Sequence, residues 1–270
     1  MAGDGADVQA NSHVQVNFQT GSWTDIARTP QANAALGTVL CFVAGATNAG
    51  GFLAVGRYTS HMTGVVSSIA DNLVLGQVAL VLGGVASLLA FMGGAATTAW
   101  IVNWCLRQHL SSAFGMPLLL EAVLLLIFGL FGAGINFYAG LFVPLTVLVL
   151  CFIMGLQNAL ITKISNSEIR TTHVTGLVTD LGIELGKLIY LNRLPGEKKV
   201  LANRRKLRLH LTLVSSFFIG GLVGAVGFKL LGYVSTVALA ALLLALVARP
   251  ILLDIRAKTL KVAKPATSKR

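Results

Sequence analysis

The chain has 270 residues, of which 55% are hydrophobic and only 11% charged, and its mean hydropathy is +0.77. A soluble domain gives about a quarter of its residues to charge, so this balance excludes one and predicts an all-α polytopic membrane protein. The net charge of +11 comes from 21 Lys and Arg against 10 Asp and Glu; with Tyr190 the one aromatic residue interleaved among the clustered basic residues, nucleic acid is excluded as a partner.

Residues 1–33 are polar and rich in Gly, Ala, Asn and Gln, with neither the basic start nor the apolar stretch of a signal peptide. A disordered tail is predicted there, with Asp4, Asp7 and Asp25 in water. Apolar runs at about 34–55, 78–105, 116–136, 138–162, 209–231 and 233–253 each reach the roughly 20 residues that span a bilayer, which predicts six crossings. Cys41, Cys105 and Cys151 fall in or at the ends of these runs without pair spacing and read as small buried hydrophobes.

Between the runs lie two polar stretches that echo one another. Thr59-Ser60-His61-Met62-Thr63-Gly64 and Thr171-Thr172-His173-Val174-Thr175-Gly176 share His-x-Thr-Gly. Each follows an apolar run with Gly-x-x-Asn-Ala near its end, at Gly45 to Ala49 and Gly155 to Ala159. The copies stand about 110 residues apart, with a slip of about two that a loop absorbs, so an internal duplication is expected, with halves at 34–136 and 137–253. The motif segments, about 60–77 and 171–190, are predicted as two short helices that either cross or dip in against the bundle, where irregular backbone needs cover by protein or water.

From Lys187 to Arg208 there are eight basic residues and one acid, Glu197, and the tail 254–270 is similarly basic. The positive-inside rule assigns the loop 191–208 and the C-terminus to the cytoplasm, with anionic lipid headgroups as the partner of both. Six crossings make the two halves an inverted repeat, and eight would make them parallel. Charge does not decide between these, because loop and tail stay cytoplasmic either way.

Gly64 and Gly176 permit unusual backbone, and Thr63 and Thr175 are expected as helix N-caps. On a structural reading the repeat merely preserves a folding unit, with Gly129, Gly132, Gly134, Gly220, Gly221, Gly224 and Gly227 at close helix contacts. On a functional reading two helix starts within the membrane aim amide groups and partial positive charge at a small solute. The expected site is one polar cavity shared by both copies, with Asn48, His61, Thr63, Gly64, Asn158, Thr172, His173, Thr175, Gly176 and Asp180 as its candidate residues, and His61 and His173 converging across the repeat axis. Ionisable groups in apolar surroundings, Glu121, His173, Asp180 and Glu184, are candidates for a proton relay. No metal and no cofactor is expected, since His, Cys and carboxylates do not otherwise converge, and no nucleophile elbow, phosphate loop or HExxH motif marks an enzyme.

The pattern Gly-x-x-Asn-Ala-x-x-Phe followed by Ser-His-Met-Thr-Gly, and the later Met154 to Ala159 followed by Thr-Thr-His-Val-Thr-Gly-x-x-Thr-Asp-Leu-Gly, resembles the bacterial inner-membrane family called DUF1275, or YoaK-like. The resemblance covers roughly residues 34–250 and implies about six spans in the bacterial inner membrane, with little implied about activity. It departs from the family's usual pattern at Asn48, where an Asp is usual, and at Val65, where an Asn is usual. Residues and resemblance together favour a permease for an unknown small polar or anionic solute, with proton coupling and self-association as further expectations. A non-transporting scaffold or lipid-binding protein is the alternative, and a membrane enzyme comes third.

Overall fold

The computed structural model describes residues 29–134, 138–192 and 198–263, with side chains through 256 apart from 131–134. Most of the tail expected at 1–33, with its three aspartates, and the surroundings of Gly132 and Gly134 therefore lie outside the described residues. Eight α-helices follow in order: α1 (Pro30–Val55), α2 (Met62–Val74), α3 (Val78–Arg107), α4 (Gly115–Gly134), α5 (Ala139–Ile164), α6 (Val174–Ile189), α7 (Arg204–Leu231) and α8 (Ser235–Ala263). A single turn of 3-10 helix at Gly232–Val234 separates the last two, and no strand occurs among the described residues.

Local chemistry sets the helix ends. Thr29 Oγ1 accepts from the Ala32 amide at 3.1 Å with Pro30 in the first turn, a favourable start for α1. That start makes 30–33 helical rather than tail. Gly56 ends α1 in the left-handed region at φ 69°. The Asn203 side chain accepts from the Lys206 amide at 3.0 Å, so α7 begins at Arg204 and takes the last residues of the expected loop 191–208. The expected tail 254–270 is likewise shortened, because α8 passes through Pro250 and runs on to Ala263 on good helix formers such as Arg256, Lys258 and Lys261.

Four helical stretches are long and apolar enough to cross a membrane: Pro30–Val55, Val78–Arg107, Ala139–Ile164 and Arg204–Arg256, the last running through the α7–α8 turn. Gly115–Leu130 is a shorter apolar helix. Together with the composition this makes the chain a helical, multi-pass membrane protein.

The helices pair by exchange between the ends of the chain: α1 lies on α7, α3 on α5, and α4 on α8. Contacts between α1 and α7 advance together, from Gly37 against Leu213, through Phe42 against Gly220 and Ala46 against Gly224, to Gly50 against Phe228, so these two helices are parallel. The same reasoning makes α3 and α5 parallel, with Phe91 meeting Gly155, the Thr98 hydroxyl donating to the Leu156 carbonyl at 2.8 Å and Lys163 Nζ to Asn103 Oδ1 at 2.9 Å. Between α1 and α5 the order reverses: Gln157 Nε2 donates to the Leu40 carbonyl at 3.2 Å, whereas Gly51 meets Leu150.

Both parallel crossings rest on one local pattern, Phe-x-x-Gly on each partner. A Cβ on Gly45 would stand 2.1 Å from the Phe217 carbonyl oxygen, and one on Gly220 the same distance from that of Phe42. At the other crossing a Cβ on Gly94 would stand 2.0 Å from the Phe152 oxygen, and one on Gly155 1.9 Å from that of Phe91. Backbone thus meets backbone where a side chain would hold the helices apart, as the dispersion-driven packing of helices in lipid requires. Of the glycines expected at contacts, Gly129 lies against Thr236, Gly220 and Gly224 against α1, Gly221 next to the Gly45 carbonyl and Gly227 against Ser235. The core between the pairs includes Leu36, Leu40, Leu118, Leu125, Phe128, Ile153, Met154 and Leu213, all fully buried, and the three cysteines are buried free thiols.

One end of the bundle gathers the starts of α1, α4 and α7 with the ends of α3, α5 and α8. Pro30, Glu168, Arg204 and Arg208 line one cavity there. The Asp254 carboxylate of α8 accepts the Ser111 and Ser112 amides ahead of α4 at 2.9 and 2.8 Å.

Candidate functional site: two half-length helices that start inside the bundle

Past Gly56 the chain turns back on α1. The Ser60 hydroxyl donates to Asn48 Oδ1 at 2.9 Å, and since Asn48 lies seven residues before the end of α1, the loop has re-entered the bundle by about 10 Å. There α2 starts and leaves alongside α3 in the opposite sense, with Ile69 covering Gly84. The second copy repeats this after α5. Asn166 and Ser167 take positive φ, the loop returns to Asn158, and α6 starts and leaves alongside α7. Asn158 Nδ2 donates to the Thr172 hydroxyl, while its Oδ1 accepts from the Thr171 hydroxyl at 3.1 Å and the Thr172 amide at 3.4 Å. Both motif asparagines therefore pin the returning loop, Asn48 through its Oδ1 and Asn158 through both ends of its amide.

The histidine and glycine of His-x-Thr-Gly explain one another. A Cβ on Gly64 would lie 2.2 Å from Cδ2 of His61, and one on Gly176 2.3 Å from Nδ1 of His173. In both copies the imidazole lies over the glycine three residues on, in the space that any other residue would fill. The N-cap positions belong to His61 and His173, neither with a side-chain cap bond, and the helices begin at Met62 and Val174. Thr63 and Thr175 are accordingly second residues of their helices and not the expected caps, because the histidine takes the place from which a cap would act.

The copies do not share one cavity as the sequence led us to expect. His61 and Gly64 line a cavity of about 380 Å³ together with Arg57, Thr59, Ser68 and Ser87. His173, Thr175, Gly176 and Asp180 line another of about 450 Å³ with Glu168, Arg170 and His210. The two cavities have no residue in common. His61 and His173 thus line different cavities instead of one. The two motif segments come together at a largely apolar space of about 370 Å³ bordered by Val174 at the start of α6, Asn48 of α1 and Tyr58.

A family model described as DUF1275, protein of unknown function, matches residues 36–249. The chain belongs to the DUF1275 family. No curated protein and no solved structure matches it.

In this DUF1275 chain the relay candidates occupy three environments. Asp180 lies on the second cavity, its Oδ2 3.3 Å from Lys206 Nζ and 3.7 Å from Nδ1 of His210. Glu184, one turn on, takes the Lys187 ammonium at 2.8 Å and the Asn203 amide at 2.7 Å, which ties the end of α6 to the start of α7. Those two hydrogen bonds, the Lys187 one foremost, hold its carboxyl below the usual carboxylate range. Glu121 is elsewhere, fully buried in α4 on the face of Leu118 and Leu125, with neither carboxylate oxygen hydrogen-bonded to a described residue. His210 is a functional candidate that the sequence reading passed over. It is 30 residues from Asp180, two turns into the basic start of α7, and only the antiparallel α6–α7 pairing brings it to the cavity.

Proposed function

We propose that this DUF1275 protein is a proton-coupled permease for a small polar or anionic solute, built as an inverted repeat of α1–α4 and α5–α8. The observation that carries the reading is the second cavity, where the His210 imidazole, 2% exposed, faces Asp180 across 3.7 Å and His173 stands on the same wall. A proton on His210 makes that contact an ion pair, and its loss leaves Nδ1 with no described hydrogen-bond partner. The protonation state thus changes the hold of α7 on α6, which is what coupling needs.

Several features support the repeat and the six crossings. Asn48 and Asn158 do the same work, both imidazoles cover a glycine, and Phe42, Gly45, Phe91 and Gly94 recur as Phe152, Gly155, Phe217 and Gly220 at crossings of the same kind. The 13 residues of α2 and the 16 of α6 reach about 20 and 24 Å, short of the roughly 30 Å hydrocarbon core, so neither crosses. Both enter as half-helices, from opposite faces, as in transporter folds with broken helices.

The test is solid-supported membrane electrophysiology on reconstituted protein, with concentration jumps of amino acids, carboxylates, sulfate, phosphate and sugars. At least one solute evokes a current in the wild type that grows with a proton gradient and vanishes in Asp180→Asn and His173→Ala variants of unchanged detergent stability. Absence of current across the panel from folded, reconstituted protein rejects the permease and leaves the scaffold reading, which the bonds from Asn48 and Asn158 to the returning loops favour.

A further inference from the structure

The two cavities occupy corresponding places in the two copies, yet only one of them carries acids. In the second, the carboxylates of Glu168 and Asp180 stand with Arg170, His173 and His210. In the first no acid lines the wall: Ser68 stands where the second copy has Asp180, and Gly84 where it has His210. Arg57 stands at this cavity and makes no ion pair or hydrogen bond with any described residue.

A second unpartnered group borders the same space. Thr59, 2% exposed, lines the cavity, and its hydroxyl has no hydrogen-bond partner among the described residues. Its counterpart Thr171 is equally buried but donates to Asn158. A buried hydroxyl without a partner is costly unless something absent from the protein alone supplies one. Beside it begins α2, whose first turn holds no acid and receives no side-chain cap, so the amides of Thr63 and Gly64 have no acceptor from the helix itself. A guanidinium, a buried hydroxyl without a partner and the positive end of a 13-residue helix therefore border the same cavity of about 380 Å³.

We propose that this cavity is a binding site for a small soluble oxyanion, a carboxylate, phosphate or sulfate, held by Arg57, the Thr59 hydroxyl and the start of α2. The site deepens the permease reading by naming the solute's class, and rests on that reading only for the claim that the bound anion moves.

The experiment measures thermal unfolding of the detergent-purified chain while sodium sulfate, phosphate or malonate is titrated against sodium chloride at matched ionic strength. At least one oxyanion raises Tm saturably. Arg57→Gln and Thr59→Val each weaken the apparent affinity about tenfold or more, the loss expected of one charge-assisted or buried hydrogen bond. Lys229→Gln, which removes an exposed cation from the last turn of α7, leaves it unchanged. The site is overturned if no oxyanion acts saturably, if Arg57→Gln and Thr59→Val bind like the wild type, or if Lys229→Gln loses as much as they do. A response to vesicles of anionic phospholipid with none to the free anions also overturns it, since the ligand is then a headgroup. Saturable binding that depends on Arg57, with no solute-evoked current, keeps this site and rejects the permease; a current indifferent to Arg57→Gln does the reverse.

Discussion

At the end of α6 the Glu184 carboxylate, 3% exposed, joins Lys187 on its own helix to the Asn203 amide at the start of α7. Asn203 in turn caps α7, so one carboxyl fixes the corner from which Lys206 and His210 reach Asp180. Its folded pKa is depressed, so the stability it contributes is present above the unfolded value near 4.5 and is lost as pH falls through the lower folded value. Glu184→Gln is therefore expected to lower Tm in detergent at pH 7, with the gap to the wild type steady down to pH 5 and closing below about 4.5. A gap unchanged at acid pH would assign the loss to packing. Glu184 was legible from the sequence as an ionisable group on the helix face of Asp180, but its partner Asn203 was not. Nothing in the sequence indicates that the residue after a basic loop will donate its amide back across 19 positions.

Among the elements, length was legible and pairing was not. Runs of about 20 apolar residues gave the long helices because a bilayer demands that length, and the errors fall where polar or charged residues obscure helix, at 30–33, at Arg204 and beyond residue 253. The exchange of α1 onto α7 and α3 onto α5 has no local signal. The four Phe-x-x-Gly pairs at the crossings are spelled like others in the chain, such as Phe18 and Gly21, and without the partner helix each is two ordinary residues. The glycines consequently divide by what a methyl group would meet. Gly155→Ala and Gly220→Ala each put a Cβ about 2 Å from a carbonyl oxygen, and are expected to cost about 1–3 kcal/mol or to prevent folding, read as Tm and as yield of monodisperse protein. Gly182→Ala and Gly186→Ala, on α6 with nothing within 4 Å, are expected to be neutral or to stabilise by about 0.5–1 kcal/mol through backbone entropy. Equal losses at all four positions would contradict the close crossings.

For the whole molecule, the parallel pairs turn charge into orientation. The end that gathers the starts of α1, α4 and α7 also holds Arg107, Lys163, Lys187, Arg204, Arg205, Lys206 and Arg208, whereas the opposite end holds Arg57 and Lys229. Cytoplasmic loops carry the Lys and Arg excess, so the first of these is expected inside, with α2 entering from outside and α6 from the cytoplasm. The three native cysteines are buried and give little background to thiol labelling. Gln77→Cys, exposed between α2 and α3, is expected to react with a membrane-impermeant maleimide in intact spheroplasts. Lys198→Cys, exposed ahead of α7, is expected to react only after permeabilisation. The reverse pattern would invert the protein and exchange the faces to which the cavity of Arg57 and the cavity of Asp180 belong. Labelling of both sites from one side would place the start of α3 with the basic loop, and two half-helices entering from opposite faces could not survive that result.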